Sequence, residues 1–311
     1  MNWSPSRAAT ARRSAAVAAC KDAPMPINVP WLGDGWVYYT NEERETLMHY
    51  RSARSRKATE PLGFVLHRGV SPGTGDPYVV IATLHSENEK TGDVVTVWIV
   101  RDDVSPVVAK QRGQEHATCL GCILGMHGGC YVVVQNAPNQ VWRAYKGGRY
   151  PEYDARLHER FIKHRVVRWG GYGEPVLIPM SIIARWAAIT RGWVGYTQQW
   201  RNPAFAEYRP YLMASVMTPR QADFAQSLGW RTFRITFDLE ADGVRRREFL
   251  CPASYEGGER MQCDECLACD GADRPVGAAQ RASVVVKFHA NGAQSAMLSK
   301  ALRLGVVSLD E

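Results

Sequence analysis

No stretch of the 311-residue chain approaches the eighteen or so consecutive apolar residues that a bilayer-spanning helix needs. The apolar runs, Tyr131 to Val134 among them, are of strand length, so no membrane partner is expected. A secretory leader with a continuous apolar centre is also missing, and a reducing cytoplasm is the expected compartment. Charged residues make up only 22% of the chain against 45% apolar, which excludes a disordered tail and a coiled coil and leaves a globular protein. Acidic residues are the scarcer sign, 31 against 38 basic ones, for a net charge of +7. The basic residues are scattered, and their densest group is Arg51, Arg54, Arg56 and Lys57. Nucleic acid is a candidate partner on charge alone, and a solvated surface explains the same residues.

What is present in quantity is cysteine in groups. Seven of the eight cysteines fall into two sets: Cys119, Cys122 and Cys130, then Cys251, Cys263, Cys266 and Cys269. Spacings of two residues between sulfurs suit a metal better than a disulfide framework, which belongs mostly to small secreted domains. Cys20 stands alone.

The length suits one large or two ordinary domains. Residues 1–24, rich in Ala, Ser and Arg, read as a disordered extension or as the product of an upstream start, with Met25 opening more ordinary sequence; their composition also resembles a transit peptide. Residues 25–114 read as a small β-rich module with strands FVLHRGV, YVVIATL and VVTVWIV, the last two joined by the polar loop Ser86 to Asp93. Residues 115–311 alternate strand and helix, and this alternation predicts an α/β fold, a partial parallel (β/α) barrel. Its expected pieces are a strand from Tyr131, helices at Pro138 to Lys146 and Tyr153 to His164, and strand RVVRW. Helix Ile182 to Thr190, strands GWVGYT and YLMASV, helix Thr218 to Leu228 and strand WRTFRITF follow. Strand SVVVKFH and a last helix, Ala293 to Leu302, close the chain. Helix Thr218 to Leu228 has the clearest ends: Thr218 as N-cap, Pro219 at the first position, Gln221 to complete a capping box and Gly229 as the stop.

Cys263, Cys266 and Cys269 form C-x2-C-x2-C, and Cys251 is followed by Pro252. Bacterial ferredoxins hold a [4Fe-4S] cluster with such a run and a cysteine-proline pair, although there the pair lies downstream. Four thiolates also make a closed zinc site, so iron-sulfur cluster and zinc both stand as candidates. The first set has the spacing C-x2-C-x7-C, with Gly128 and Gly129 beside Cys130. Three ligands leave one position open: on an iron-sulfur cube for a substrate or cofactor, on zinc for His116 or His127. The third feature, Arg168 to Pro179, is a strand running into a glycine-rich turn with Gly170, Gly171, Gly173 and Glu174, where backbone approach and a carboxylate suit a ligand at a strand end.

A three-cysteine motif ahead of a strand ending in Gly170, Gly171, Gly173, Glu174 and Pro175 resembles the radical S-adenosylmethionine (SAM) superfamily. The resemblance spans roughly residues 115–290. It implies a [4Fe-4S] cluster on Cys119, Cys122 and Cys130 whose open iron chelates SAM. It also implies contact of Glu174 with the SAM amino group, an auxiliary cluster on Cys251, Cys263, Cys266 and Cys269, an electron donor, and radical chemistry on a substrate the sequence does not name. The family's usual spacing is C-x3-C-x2-C, and here Tyr172 splits the glycine motif. The chain also resembles uncharacterised phage and prophage proteins in which a loop like Asn88 to Gly92 precedes a cluster ending in cysteine-tyrosine; for a phage protein the compartment would be the host cytoplasm. Ser215, within a predicted strand, joins the candidate cofactor contacts. Thr197, Gln198, Gln199, Arg231, Arg234, Lys287 and His289 lie on or at the ends of predicted strands, where packing roles serve equally well. The alternative reading is a nucleic-acid-binding protein with purely structural zinc or cluster sites.

Overall fold

The computed structural model describes residues 26–28, 36–38, 61–126, 129–259, 261–272 and 282–288. The expectations for residues 1–24, Cys20, the Arg51 to Lys57 group, His127, Gly128, His289 and the helix at 293–302 lie outside the described residues. The chain divides into two units, Met1–Glu60 and Pro61–Glu311. In the first, strands β1 (Pro26–Asn28) and β2 (Trp36–Tyr38) pair antiparallel.

The second unit is built on a nine-stranded, mostly parallel sheet. In chain order its strands are β3 (Gly63–Val70), β4 (Pro77–Thr83), β5 (Val95–Arg101), β6 (Val166–Tyr172), β7 (Gly192–Thr197), β8 (Met213–Val216), β9 (Thr232–Thr236), β10 (Glu248–Leu250) and β11 (Ser283–Lys287). From β3 to β9 spatial order follows chain order; β11 lies beside β9, and β10 is outermost. Strands β5 to β11 run parallel, whereas β4 runs against both its neighbours. The three strands expected in the β-rich module are thus continuous with the α/β sheet through the β5–β6 pairing.

Burial on both faces explains the unbroken apolar runs in β4 and β5, since a covered sheet has no polar side to alternate with. Strands added always on the same side need crossovers on a single face if each is right-handed. On that face helices Met180–Ile189 and Pro219–Ser227 bring Ile183, Trp186, Ala222 and Ala225 against Val167, Trp169, Ala214 and Val216 of the sheet. Two smaller apolar clusters cover the other face: one includes Val65, Val79, Val100 and Tyr172, the other Leu124, Met217 and Ile235. Among the described residues no helix is long and apolar enough to cross a membrane.

Several elements differ from expectation. Residues from Tyr131 form no strand, because both edges of β5 are already taken by β4 and β6; Val132 and Val134 pack on the sheet instead. The helix expected over Tyr153 to His164 is only Ala155–His158 followed by a 3-10 turn, Glu159–Phe161. Pairing with β3 competes there: Val65 N–H donates to Pro151 O and Tyr153 N–H to Val65 O, which holds the start of the segment extended. Helix Pro219–Ser227 forms as expected, with Thr218 Oγ1 accepting from Gln221 N–H and Gly229 at φ +83° as the stop. The glutamine does not complete a capping box with Thr218, however. Its Oε1 accepts from Met217 N–H at 2.8 Å.

Candidate metal and cofactor site

The first cysteine set lies between β5 and β6. Helix Pro106–Gln111, capped by Ser105, leads to the turn His116–Cys119. Leu120 and Gly121 then take left-handed conformations, φ 45° and 76°, and reverse the chain so that Cys122 N–H donates to Cys119 O at 2.9 Å. Glycine tolerates that conformation and leucine pays for it in strain, which makes this a specified turn. Two bonds seat the turn on the carboxyl ends of the parallel strands: Glu174 N–H to Thr118 O at 2.7 Å, and Gln199 Nε2 to Leu120 O at 2.7 Å. His116 is exposed at the rim, beside Gly73 and Gly121.

Glu174 follows β6 and is 4% exposed. Its Oε2 accepts from Gln198 N–H at 3.1 Å, while its buried Oε1 has no hydrogen-bond partner among the described residues. Burial pushes the carboxyl up to about 7, against the opposing pull of the Thr197 hydroxyl and the Gln198 and Val176 amides. Burial likewise pushes the Cys122 thiol up to about 12, with the Glu174 charge adding to the rise. Cys119 and Cys130 are raised too, mainly by burial, and Cys119 further by Cys122 and Cys130. Ser215, on β8, lies in the same layer: its Oγ accepts from Gln198 Nε2 at 2.8 Å. The structure therefore brings the first cysteine set, Glu174, Thr197, Gln198, Gln199 and Ser215 to one end of the sheet.

The glycines of the motif also have a packing cause. A β-carbon on Gly171 would stand 2.4 Å from Thr96 Cγ2, and one on Gly173, at φ +83°, 2.5 Å from Ile99 O. A β-carbon on Gly170, at φ +74°, would meet Pro175. The seam with β5 also slips here: Thr96 pairs with Arg168 but Trp98 with Tyr172, a bulge that places extra β6 residues opposite Val97. Close approach of β5 and of the following proline accounts for all three glycines.

The second set follows the outermost strand. Cys251 comes directly after β10, Cys263–Cys266 forms a single turn with Leu267 left-handed at φ 51°, and Cys269 follows. Cys269 is pushed well up by burial and then by Cys263, Cys251 and Cys266; burial pushes Cys263 to about 11. The loop is firmly held: Gly195 N–H donates to Cys269 O, Trp193 Nε1 to Asp270 O, and Arg231 binds Asp270 Oδ1 at 2.6 Å together with the carbonyls of Ala268, Gly271 and Ala282. The polar loop Ser86 to Asp93 does more than connect two strands. Its Lys90 O and Thr91 O accept from Cys263 N–H and Asp264 N–H, and Glu89 O accepts from Gln262 Nε2.

All seven described cysteines are free thiols, and all are half-buried. Among the described residues no three Cys, His, Asp or Glu side chains converge at metal-ligating distance. The donors suit a thiophilic metal in chemical type and in sequence spacing. Their protonated state is what the raised thiols describe, and metal binding would have to displace those protons. Of the remaining sequence candidates, Arg234 is fully buried on a bidentate bond with Glu248, Arg231 anchors the second cysteine loop, and Lys287 is exposed at the end of β11.

Three residues went unnoticed in the sequence as site residues: Arg168, Tyr131 and Tyr196. Arg168 Nη2 donates to Tyr131 Oη at 3.0 Å, and the two phenol oxygens stand 3.2 Å apart. The available signal was an arginine inside an otherwise apolar strand, Val166–Tyr172. Comparison of the chain with protein-family models, with curated proteins and with solved structures finds no match.

Proposed function

We propose that the chain is an iron-sulfur protein of the radical SAM type, in which Cys119, Cys122 and Cys130 hold a [4Fe-4S] cluster and Glu174 receives the ammonium of SAM. The observation that carries this reading is the buried, donorless Glu174 Oε1 beside Cys122. Such an oxygen calls for a proton or a cation, and an ammonium supplies both charge and hydrogen-bond donors. Strands β5 to β9 and β11, parallel and added in order, support a partial barrel as the scaffold, with the cysteine turn and Glu174 at its carboxyl end. When bound, a reduced cluster with an open iron supplies the electron for reductive cleavage of SAM. The chain's own residues would do the rest: the three thiols would give up their protons to hold the cluster, Glu174 would fix the amino group, and Thr197 and the Gln198 amide would keep the Glu174 carboxylate in place. Gln198 in turn is tied to Ser215. In the same reading Cys251, Cys263, Cys266 and Cys269 would hold an auxiliary cluster. The partners of this reading are an electron donor and a substrate whose identity is open, and its compartment is the cytoplasm, that of the host if the chain is phage-encoded.

Anaerobic reconstitution with iron and sulfide tests the reading, followed by metal analysis, calorimetry with SAM and assay for 5′-deoxyadenosine after reduction. A brown protein that binds SAM and releases 5′-deoxyadenosine is expected. Glu174→Gln should retain its iron and bind SAM about ten- to a hundred-fold more weakly, the loss of one charge-assisted bond of about 1.5 to 3 kcal/mol. Stoichiometric zinc with no SAM binding would replace this reading with structural metal sites.

A further inference from the structure

Among the described residues, three arginines withdrawn from solvent have carboxylate partners. Arg101, 6% exposed, binds Asp76 and Asp103; Arg231, 11%, binds Asp270; Arg234, 0%, binds Glu248. Arg168 differs. On β6 its neighbours Val167 and Trp169 enter the large apolar cluster, so alternation turns Arg168 to the opposite face. There the half-buried guanidinium bonds the phenols of Tyr131 and Tyr196, and among the described residues no carboxylate pairs with it. Two neutral phenols satisfy donors without balancing the charge, and an unbalanced, partly desolvated cation is costly.

We infer that Arg168, with Tyr131 and Tyr196, forms a binding site for an oxyanion, a carboxylate or phosphate. The guanidinium fork matches either oxyanion in two-point geometry, and the phenol hydroxyls can rotate to donate to it. The Tyr196 phenol is held in position by its ring, which lies stacked on Phe233 at 4.5 Å and 10°. Access comes from the Tyr131 side, which is 48% exposed. The site needs neither a cluster nor SAM, so it goes beyond the function proposed above and stands or falls apart from it. One rival explanation is close at hand, because Cys263 is within electrostatic reach of Arg168: the guanidinium would then balance thiolate charge at the second cysteine set.

Calorimetry on the full-length protein separates these cases, with phenyl phosphate, benzoate and the neutral benzyl alcohol as probes. Wild type should bind one or both anions and not the alcohol, and the tighter anion identifies the oxyanion class. Arg168→Met should weaken that binding by about ten- to a hundred-fold, as expected for loss of a charged hydrogen-bond partner, with Arg168→Lys intermediate. Tyr196→Phe, which keeps the ring stack, provides a second variant should Arg168→Met not fold, and it should weaken the anions without making the alcohol bind. The inference is overturned if wild type binds neither anion, if the affinities are unchanged in Arg168→Lys and Tyr196→Phe, or if Arg168→Met lowers only the metal held by the second cysteine set.

Discussion

Glu174 shows how one residue can set the pH response of the whole protein. Its carboxyl, ordinarily at 4.5, is raised to about 7 by burial. The folded state therefore holds a proton that the unfolded state has lost between those values, and stability falls as pH rises through that window. In the metal-free protein the Glu174 contribution to that fall should be on the order of 3 kcal/mol between pH 4.5 and 7, and it should be lost in Glu174→Gln, leaving only the response of the other shifted groups. Urea unfolding of both proteins at pH 5 and pH 8 checks this; parallel pH responses would mean that Glu174 is not the titrating group. The sequence made Glu174 visible because a carboxylate follows a glycine-rich strand end. It left Arg168 hidden, since whether an arginine within a strand has an acidic partner depends on residues brought together from elsewhere, here Tyr131 and Tyr196.

Among the elements, legibility followed the range of the interactions that make each one. Helix Pro219–Ser227 was readable because its cap, its first-turn proline and its stop are all local. Thr218→Ala should cost about 1 kcal/mol, the usual loss for an N-cap, measurable as a shift in denaturation midpoint without a change in slope. The segments at Tyr131 and Tyr153 misled because their fate depends on which sheet edges are free, and that is decided by β3, β5 and β6 together. The glycines of β6 have a packing reason that the sequence does not show. They suggest ligand approach, yet Gly171 faces Thr96 and Trp98 of β5. A β-carbon there would push on a stiff β-branched side chain, so Gly171→Ala should cost about 1 to 3 kcal/mol even in protein without metal or SAM. A variant as stable as wild type, with only SAM binding impaired, would restore the ligand explanation.

At the scale of the molecule, the alternation of strands and helices foretold a largely parallel α/β sheet. It did not foretell that β3 to β5 would extend that same sheet, or that β11 would slip between β9 and β10. Both are long-range pairing choices. The far end of the sheet is held by a buried ion pair, with Arg231 gripping Asp270 and three carbonyls across residues 268–282. Arg231→Met should destabilise the protein by about 3 to 5 kcal/mol, because the buried Asp270 carboxylate would lose the guanidinium that faces it at 2.6 Å. Chemical denaturation gives the measurement, and a loss under 1 kcal/mol would show that neither the ion pair nor the carbonyl contacts of Arg231 hold the loop.

The bonds from Cys263 and Asp264 to the loop between β4 and β5 have a kinetic meaning. Glu89 and Gln262 meet across 173 residues of chain, so this junction cannot form early and closes a ring that contains most of the sheet. The β4–β5 loop must reach its final shape before the second cysteine turn can dock, and Gly92 is part of that shape: a side chain there would collide with Asp264. A chain emerging from synthesis thus presents its first cysteine set, and the β4–β5 hairpin, well before the second set exists to be seated. Assembly of the two cysteine-bearing regions is ordered in time by the topology itself, the first gathered locally and the second acting as the late latch.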